Sequence, residues 1–291
     1  MKIKKGIILA GGTGSRLYPL TIATNKQLLP IYDKPAIYYP LATLMLAGIQ
    51  DILFISTPRD LPILQILFGD GSSLGMNFSY QVQHNPGGLP EAFIVGEKFI
   101  NTEPVAMILG DNFFHAHGLP EILSRAVQSC TGAGIFTHRV EDPSQYGVVV
   151  VDKNDTILEI EEKPKNFKSN LAITGLYYFD ETVCERAKKL FPSERNELEI
   201  VDLLKSYLLE DKLSMSLLGR GTVWFDVGTP RALLDASNYV QVVQDRQGIA
   251  IASPEEVAWR MNFISKDPLE KLVNGLPKGR YKQYLHGLVE L

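Results

Sequence analysis

The stretch Ile7 to Pro30, IILAGGTGSRLYPLTIATNKQLLP, constrains what this chain can fold into more than any other segment. A short apolar run, Ile7 to Ala10, reads as a buried strand. It gives way at once to Gly11, Gly12 and Gly14, then to Ser15 and Arg16, with a second cation at Lys26. Glycines without Cβ let the backbone approach a ligand, and their N–H groups form an anion-binding concavity that Arg16 and Lys26 supplement with full charge. Two common phosphate loops fit poorly. The dinucleotide fingerprint needs a third glycine where the helix packs on the strand, and here Leu17 follows Arg16. The Gly-Lys-Ser/Thr of a P-loop is absent, and Pro19 and Pro30 imply an extended loop rather than an immediate helix. A long loop wrapping a nucleoside triphosphate is the reading that remains.

Downstream, strand and helix signals alternate, which predicts an α/β fold with a Rossmann-like, mostly parallel central sheet flanked by helices. Pro35 is expected to open a helix through Leu41, Leu44 and Met45, and Ile52 to Ser56 to form the next strand. After the strand Phe78 to Gln83, His84-Asn85-Pro86-Gly87-Gly88-Leu89-Pro90 makes a second glycine loop before a helix over Glu91 to Phe99. Val105 to Leu109 is wholly apolar, as a central parallel strand should be, and ends in Gly110-Asp111-Asn112. Ligands of open α/β sheets lie beyond the carboxyl ends of strands, which puts Asp111 where chemistry is expected.

Later, a hairpin is expected over Val148 to Glu161. Gly175 lies inside a strand, as glycine does where a ligand or another backbone approaches closely. A helical stretch is expected over Glu181 to Leu209, broken at Pro192, and a long helix after Thr229-Pro230. Ser253-Pro254-Glu255-Glu256 reads as a capping box. These signals divide the chain into an α/β domain over 1–247 and a C-terminal helical extension, 248–291, packed on the same domain.

A net charge of -4 over 291 residues argues against a nucleic-acid surface, which needs clustered Lys and Arg. The two cysteines, Cys130 and Cys184, form no CxxC pattern and read as reduced, buried thiols of a cytoplasmic protein. The first apolar run ends at Gly11, too short for a signal peptide, and no later run approaches a membrane span.

GGTGSRLYPLT, NKQLLPIYDKP and the later EEKP resemble the sugar-1-phosphate nucleotidylyltransferases, and most closely the glucose-1-phosphate thymidylyltransferases. Further matches around Asp111, Tyr146, Glu162, Gly175 and Asp226 extend the resemblance over nearly the whole chain. It implies a fold of the nucleotide-diphospho-sugar transferase type, with smaller β elements and a C-terminal helical segment. The implied reaction joins dTTP and glucose 1-phosphate into dTDP-glucose with release of pyrophosphate, as the first step towards dTDP-deoxysugars such as dTDP-rhamnose for cell-surface polysaccharide.

Asp111 and Asp226, both at ends of expected strands, become candidates for Mg²⁺, a hard cation that commonly takes one or two carboxylates plus phosphate oxygens. The resemblance assigns Arg16, Lys26 and Lys163 to catalysis, with Lys163 paired to the sugar phosphate and Glu162 accepting hydrogen bonds from glucose hydroxyls. Tyr146, Gly147, Ile173 and Gly175 would complete the sugar pocket. Leu9, Gly11, Gly12, Gly14, Ser15, Pro86 and Asp111 would line the nucleotide site.

Gln27 and Gln83 are the base-reading candidates, because a carboxamide offers a donor and an acceptor side by side. Gly88 would let the loop lie against the base. His115 and His117 lack further metal-ligand partners and are expected to be ordinary loop residues. Where the family often carries Ala-Gln after this loop, Pro90-Glu91 stands here.

The family also implies a homotetramer and feedback by a downstream dTDP-sugar such as dTDP-rhamnose, with Glu256, Trp259 and Arg260 as contributors. Alternatives are a nicotinamide dehydrogenase, which the missing glycine disfavours, and a nucleotide-sugar sensor, which has little use for a full transfer set. Within the enzyme class, a UTP-using uridylyltransferase is the nearest competitor.

Overall fold

The computed structural model describes residues 1–12 and 14–290. Strand β1 (Lys5–Ala10) leads into the glycine loop, which carries single 3-10 turns at Ser15–Leu17 and Lys26–Leu28 rather than a helix. A small hairpin follows, β2 (Pro30–Ile31) with β3 (Lys34–Pro35), and α1 spans Tyr38–Leu46. The helix therefore starts after Pro35, which is held opposite Pro30 in the hairpin.

Next come β4 (Asp51–Ser56), α2 (Leu61–Phe68), β5 (Asn77–Val82), α3 (Glu91–Val95), α4 (Glu97–Ile100) and β6 (Val105–Leu109). Strand β7 (Asn112–His115), which sequence reasoning missed, precedes α5 (Leu119–Ser129), β8 (Ala133–Arg139), β9 (Gly147–Val151), β10 (Ile157–Glu162) and β11 (Leu171–Phe179). The chain closes with α6 (Val183–Lys188), α7 (Ile200–Leu208), β12 (Leu213–Leu217), β13 (Val223–Asp226), α8 (Pro230–Gln247), α9 (Pro254–Arg260), α10 (Lys266–Gly275) and α11 (Arg280–Val289).

The main sheet runs β10-β9-β11-β6-β1-β4-β5, with β8 and β12 attached through β11. Its centre, β6-β1-β4-β5, is parallel, and antiparallel strands enter at β11 and in the β9–β10 hairpin. Both faces are covered. Ile8, Phe54, Ile108 and Tyr178 pack under α1, α2 and α5, while Ile7, Leu53, Met107 and Phe179 pack under α3, α6 and α7. Burial on both faces is why these strands read as continuous apolar runs.

The second sheet, β7 with β13, sits over α8 and α1 around Phe113, Tyr39 and Val240. Helix α9 packs on α1, and α10 with α11 close a small core of Leu269, Val273, Leu285 and Leu288. No helix among the described residues is long and apolar enough to cross a membrane.

Two sequence expectations need correction. The stretch from Glu181 to Leu209 holds two short helices with the break expected at Pro192, but that break is wide: it turns at Ser193–Glu197 and brings Leu198 to bridge Gly88. That bridge needs Gly88: its φ is +100°, and a Cβ there would fall 2.1 Å from the Leu198 carbonyl oxygen. The capping box at α9 is half formed. Ser253 accepts from the Glu256 N–H, but the Glu256 carboxylate turns away to Arg260 and Tyr284.

Cys130 and Cys184 are free and buried. Burial raises both thiol pKa values, that of Cys184 to about 11.

Candidate active site

A cleft of about 690 Å³ opens where β1, β5 and β6 end. It brings together Leu9, Gly11, Gly12, Ser15, Arg16, Lys26, Gln27, Gln83, Pro86, Gly88, Asp111, Tyr146, Gly147, Glu162, Lys163, Ile173, Gly175 and Asp226, contributed by segments spread over more than two hundred residues of sequence. Gly14 stands apart from the lining. It caps the first 3-10 turn with φ +66°, and its carbonyl accepts from the Thr21 hydroxyl at 2.9 Å, so its role is to turn the loop. Glu256, Trp259 and Arg260 lie on α9, away from the cleft.

The acids are set by the β7–β13 pairing. Asp226 ends β13 opposite Asn112, and the Val227 N–H donates to the Asp111 carbonyl at 3.0 Å. Asn112 locks this corner, its Oδ1 accepting from the Trp224 indole at 2.7 Å and from the Gly175 N–H at 3.0 Å. A Cβ at Gly175 would lie 2.6 Å from Asn112 Cγ. The close approach expected at Gly175 is thus made by a neighbouring side chain.

Lys26 Nζ pairs with Asp111, and Arg16 Nη2 lies 3.8 Å from Asp226. Burial alone would raise the Asp111 pKa, but the charge and hydrogen bond of Lys26 outweigh it and hold this carboxyl below the usual range. For Asp226, burial and the Asp111 carboxylate push the pKa up to about 6. Two facing carboxylates, one of them resisting ionisation in the other's field, form a donor set suited to a hard divalent cation that keeps room for phosphate oxygens. His115 and His117 stay outside it, and the His115 ring bonds the Tyr239 hydroxyl at 2.7 Å. Among the described residues no cluster of three or more His, Cys, Asp or Glu forms a metal site.

The second 3-10 turn presents Lys26 and Gln27, and Asn25 caps it by accepting from the Gln27 N–H at 2.8 Å. Asn25 is itself fixed, its Nδ2 donating to the Ala10 carbonyl and to the buried Asp60 carboxylate. Gln27 Oε1 is buried with no hydrogen-bond partner, so it remains open to a donor.

At the opposite end, Lys163 takes a left-handed φ of 44° after β10, and its N–H donates to the Tyr146 carbonyl. Its Nζ lies 3.2 Å from Glu162. Two residues that sequence reasoning missed close this end. Arg195 Nη2 pairs with Glu199 at 2.7 Å and approaches Glu162 at 3.6 Å. They lie in the stretch read as helical beyond Pro192, and nothing in it marks the pair as functional. Asn112 and Trp224, by contrast, lie within two residues of the two acids already singled out, and that adjacency could have found them.

The nucleotidyl transferase family model matches residues 5–242. A glucose-1-phosphate thymidylyltransferase of Neisseria meningitidis is 49% identical over 98% of this chain and 99% of its own length. A Bacillus anthracis structure, a candidate glucose-1-phosphate thymidylyltransferase solved with sucrose, superposes with a TM-score of 0.74 at 39% identity, over 81% of this chain and 94% of that one. UDP-glucose pyrophosphorylase bound to UDP-glucose superposes with a TM-score of 0.74 at 27% identity, over 83% of this chain and 100% of that one. The chain belongs to the nucleotidyl transferase family, and within it to the glucose-1-phosphate thymidylyltransferases.

Proposed function

We propose that the chain transfers the thymidylyl group of dTTP to α-D-glucose 1-phosphate, giving dTDP-glucose and pyrophosphate. The observation that carries this reading is the meeting in one cleft of Lys26 with Asp111 and Arg16 with Asp226, facing Glu162 and Lys163 across it. A sugar-phosphate oxygen attacks the α-phosphorus in line with the departing pyrophosphate. A phosphate monoester with a second pKa near ~6 is already largely dianionic at neutral pH, so the attack needs no general base.

Arg16 and Lys26 meet the triphosphate and neutralise charge that builds as the leaving group departs. Lys163 holds the sugar phosphate, Glu162 accepts from glucose hydroxyls, and Tyr146, Gly147, Ile173 and Gly175 wall the sugar. Gln27 and Gln83 face the base edge, with Leu9, Pro86 and Gly88 beside it. Asp111 and Asp226 would hold Mg²⁺, which when bound supplies charge neutralisation at the phosphates.

Assembly as a homotetramer in the cytoplasm, action at the first step towards dTDP-rhamnose and feedback by that product are parts of the same reading. Glu256, Trp259 and Arg260 are proposed as the feedback residues. Unchanged dTDP-rhamnose inhibition in Arg260→Ala would remove them from that role.

The test of the main reading is Mg²⁺-dependent pyrophosphate release from glucose 1-phosphate with dTTP, UTP, ATP, GTP or CTP. Preference for dTTP is expected. Equal or faster reaction with UTP would make the chain a uridylyltransferase, and silence with every nucleotide would leave a nucleotide-sugar sensor.

A further inference from the structure

One acid at the base end has no part in the chemistry above. Glu91 is the first residue of α3, and its Oε2 accepts from the Gly87 N–H at 2.9 Å and from Gln83 Nε2. The loop is closed tightly on it: a Cβ at Gly87 would lie 2.8 Å from the same oxygen. Gln83 is buried, and its other amide atom, Oε1, lies over Gly11, where a Cβ would come within 2.6 Å. The two ends of a carboxamide are chemically different but nearly the same shape, so its neighbours decide which way it points. An ionised carboxylate can only accept. Facing Glu91, the amide must therefore present its nitrogen, because the flipped form would set two acceptor oxygens together.

We infer that Glu91 is a positioning residue that fixes the Gln83 amide with its carbonyl oxygen toward the glycine loop, and so makes the base end selective for a pyrimidine bearing N3–H. The inference rests on the reading of Gln83 as base-facing. Thymine and uracil both carry N3–H and can donate to that oxygen. Cytosine has a lone pair at N3 and would set acceptor against acceptor, an unpaired buried contact that binding penalises. Glu91 thus rejects cytosine without separating thymine from uracil, and that second distinction falls to contacts elsewhere in the cleft.

The test is the ratio of kcat/KM for dTTP to that for dCTP in Glu91→Met, which keeps a side chain of similar length at the start of α3 but removes the oxygen that accepts from both Gly87 and Gln83. The amide of Gln83 is then free to flip, and the ratio should fall about fivefold to tenfold through a higher KM for dTTP, with kcat at saturating dTTP nearly unchanged. Gly87→Ala, which crowds the carboxylate off its partners, should lower the same ratio, and it carries the test if Glu91→Met does not fold.

Gln83→Ala separates the two readings. If it collapses the ratio while folded Glu91→Met or Gly87→Ala leaves it intact, the role of Glu91 is overturned and Gln83 still reads the base. If Gln83→Ala leaves the ratio intact, the base-facing reading falls and takes this inference with it.

Discussion

The two ends of the cleft are made of the same residue types held in different surroundings. At the nucleotide end the side chains of Lys26 and Asp111 are 17% and 8% exposed. At the sugar end Lys163 and Arg195 are 43% and 47% exposed, around a Glu162 that is 28% exposed. A buried pair interacts strongly, yet each partner has lost its water, so removing one strands the other. An exposed pair is screened and can exchange partners cheaply. Glu162, within reach of both Lys163 and Arg195, has that freedom. The Lys26–Asp111 pair is thus a fixed electrostatic element of the nucleotide end, and the Glu162 contacts at the sugar end are ones a ligand can rearrange.

Lys26→Ala should break that fixed element with the largest effect. It leaves Asp111 buried and uncompensated beside Asp226, so stability should drop by about 3 kcal/mol and turnover by about a thousandfold. Denaturant unfolding and steady-state kinetics read the two losses, and loss of turnover without loss of stability would contradict the contrast drawn between the ends. Asp226→Asn should separate the two quantities. It removes a charge that burial and Asp111 both oppose, so chelator-treated protein should gain about 1 kcal/mol while activity falls about a hundredfold. A destabilised Asn variant would show that Arg16 and the loop depend on that charge for folding.

Lys163→Ala tests the other end. Its half-exposed pair contributes little to the fold, so stability should change by less than about 0.5 kcal/mol. Turnover should still fall about tenfold to a hundredfold, because the cation contacts a reacting phosphate. A melting shift as large as that of Lys26→Ala would erase the distinction between the ends.

The same contrast explains what could be read in the sequence. The nucleotide end was legible because one contiguous loop supplies most of it, and glycines, cations and strand-terminal acids each carry a local signature. Gly14 was the exception: its glycine is required by a left-handed φ at the turn, which no sequence pattern separates from close approach to a phosphate. The sugar end is assembled from the start of β9, β10, β11 and the turn before α7. Its members at Tyr146, Gly147, Glu162, Lys163, Ile173 and Gly175 were marked by EEKP and the family matches, whereas only tertiary contact identifies Arg195 and Glu199. Arg195 enters because Leu198 bridges Gly88, a contact between segments more than a hundred residues apart. Strand β7 was hidden for a related reason, since its partner β13 follows only after a further hundred residues.

The smallest expected effect concerns pH. Burial would raise the Glu199 pKa, but the Ser193 hydroxyl and the Arg195 guanidinium outweigh it and hold the carboxyl below its ordinary 4.5. A carboxyl depressed in the folded state contributes stability that is present above pH 4.5 and is lost as pH falls through its lower, folded value. Wild type should therefore exceed Glu199→Gln in stability at neutral pH by less than about 1 kcal/mol, as befits a pair with an exposed partner. That advantage should shrink as pH drops below 4.5. Denaturant titrations of both proteins at neutral pH and at about pH 4 read the difference directly. An advantage that grew on acidification would mean that the carboxyl is raised, and would place the sugar end under the same electrostatic strain as the nucleotide end.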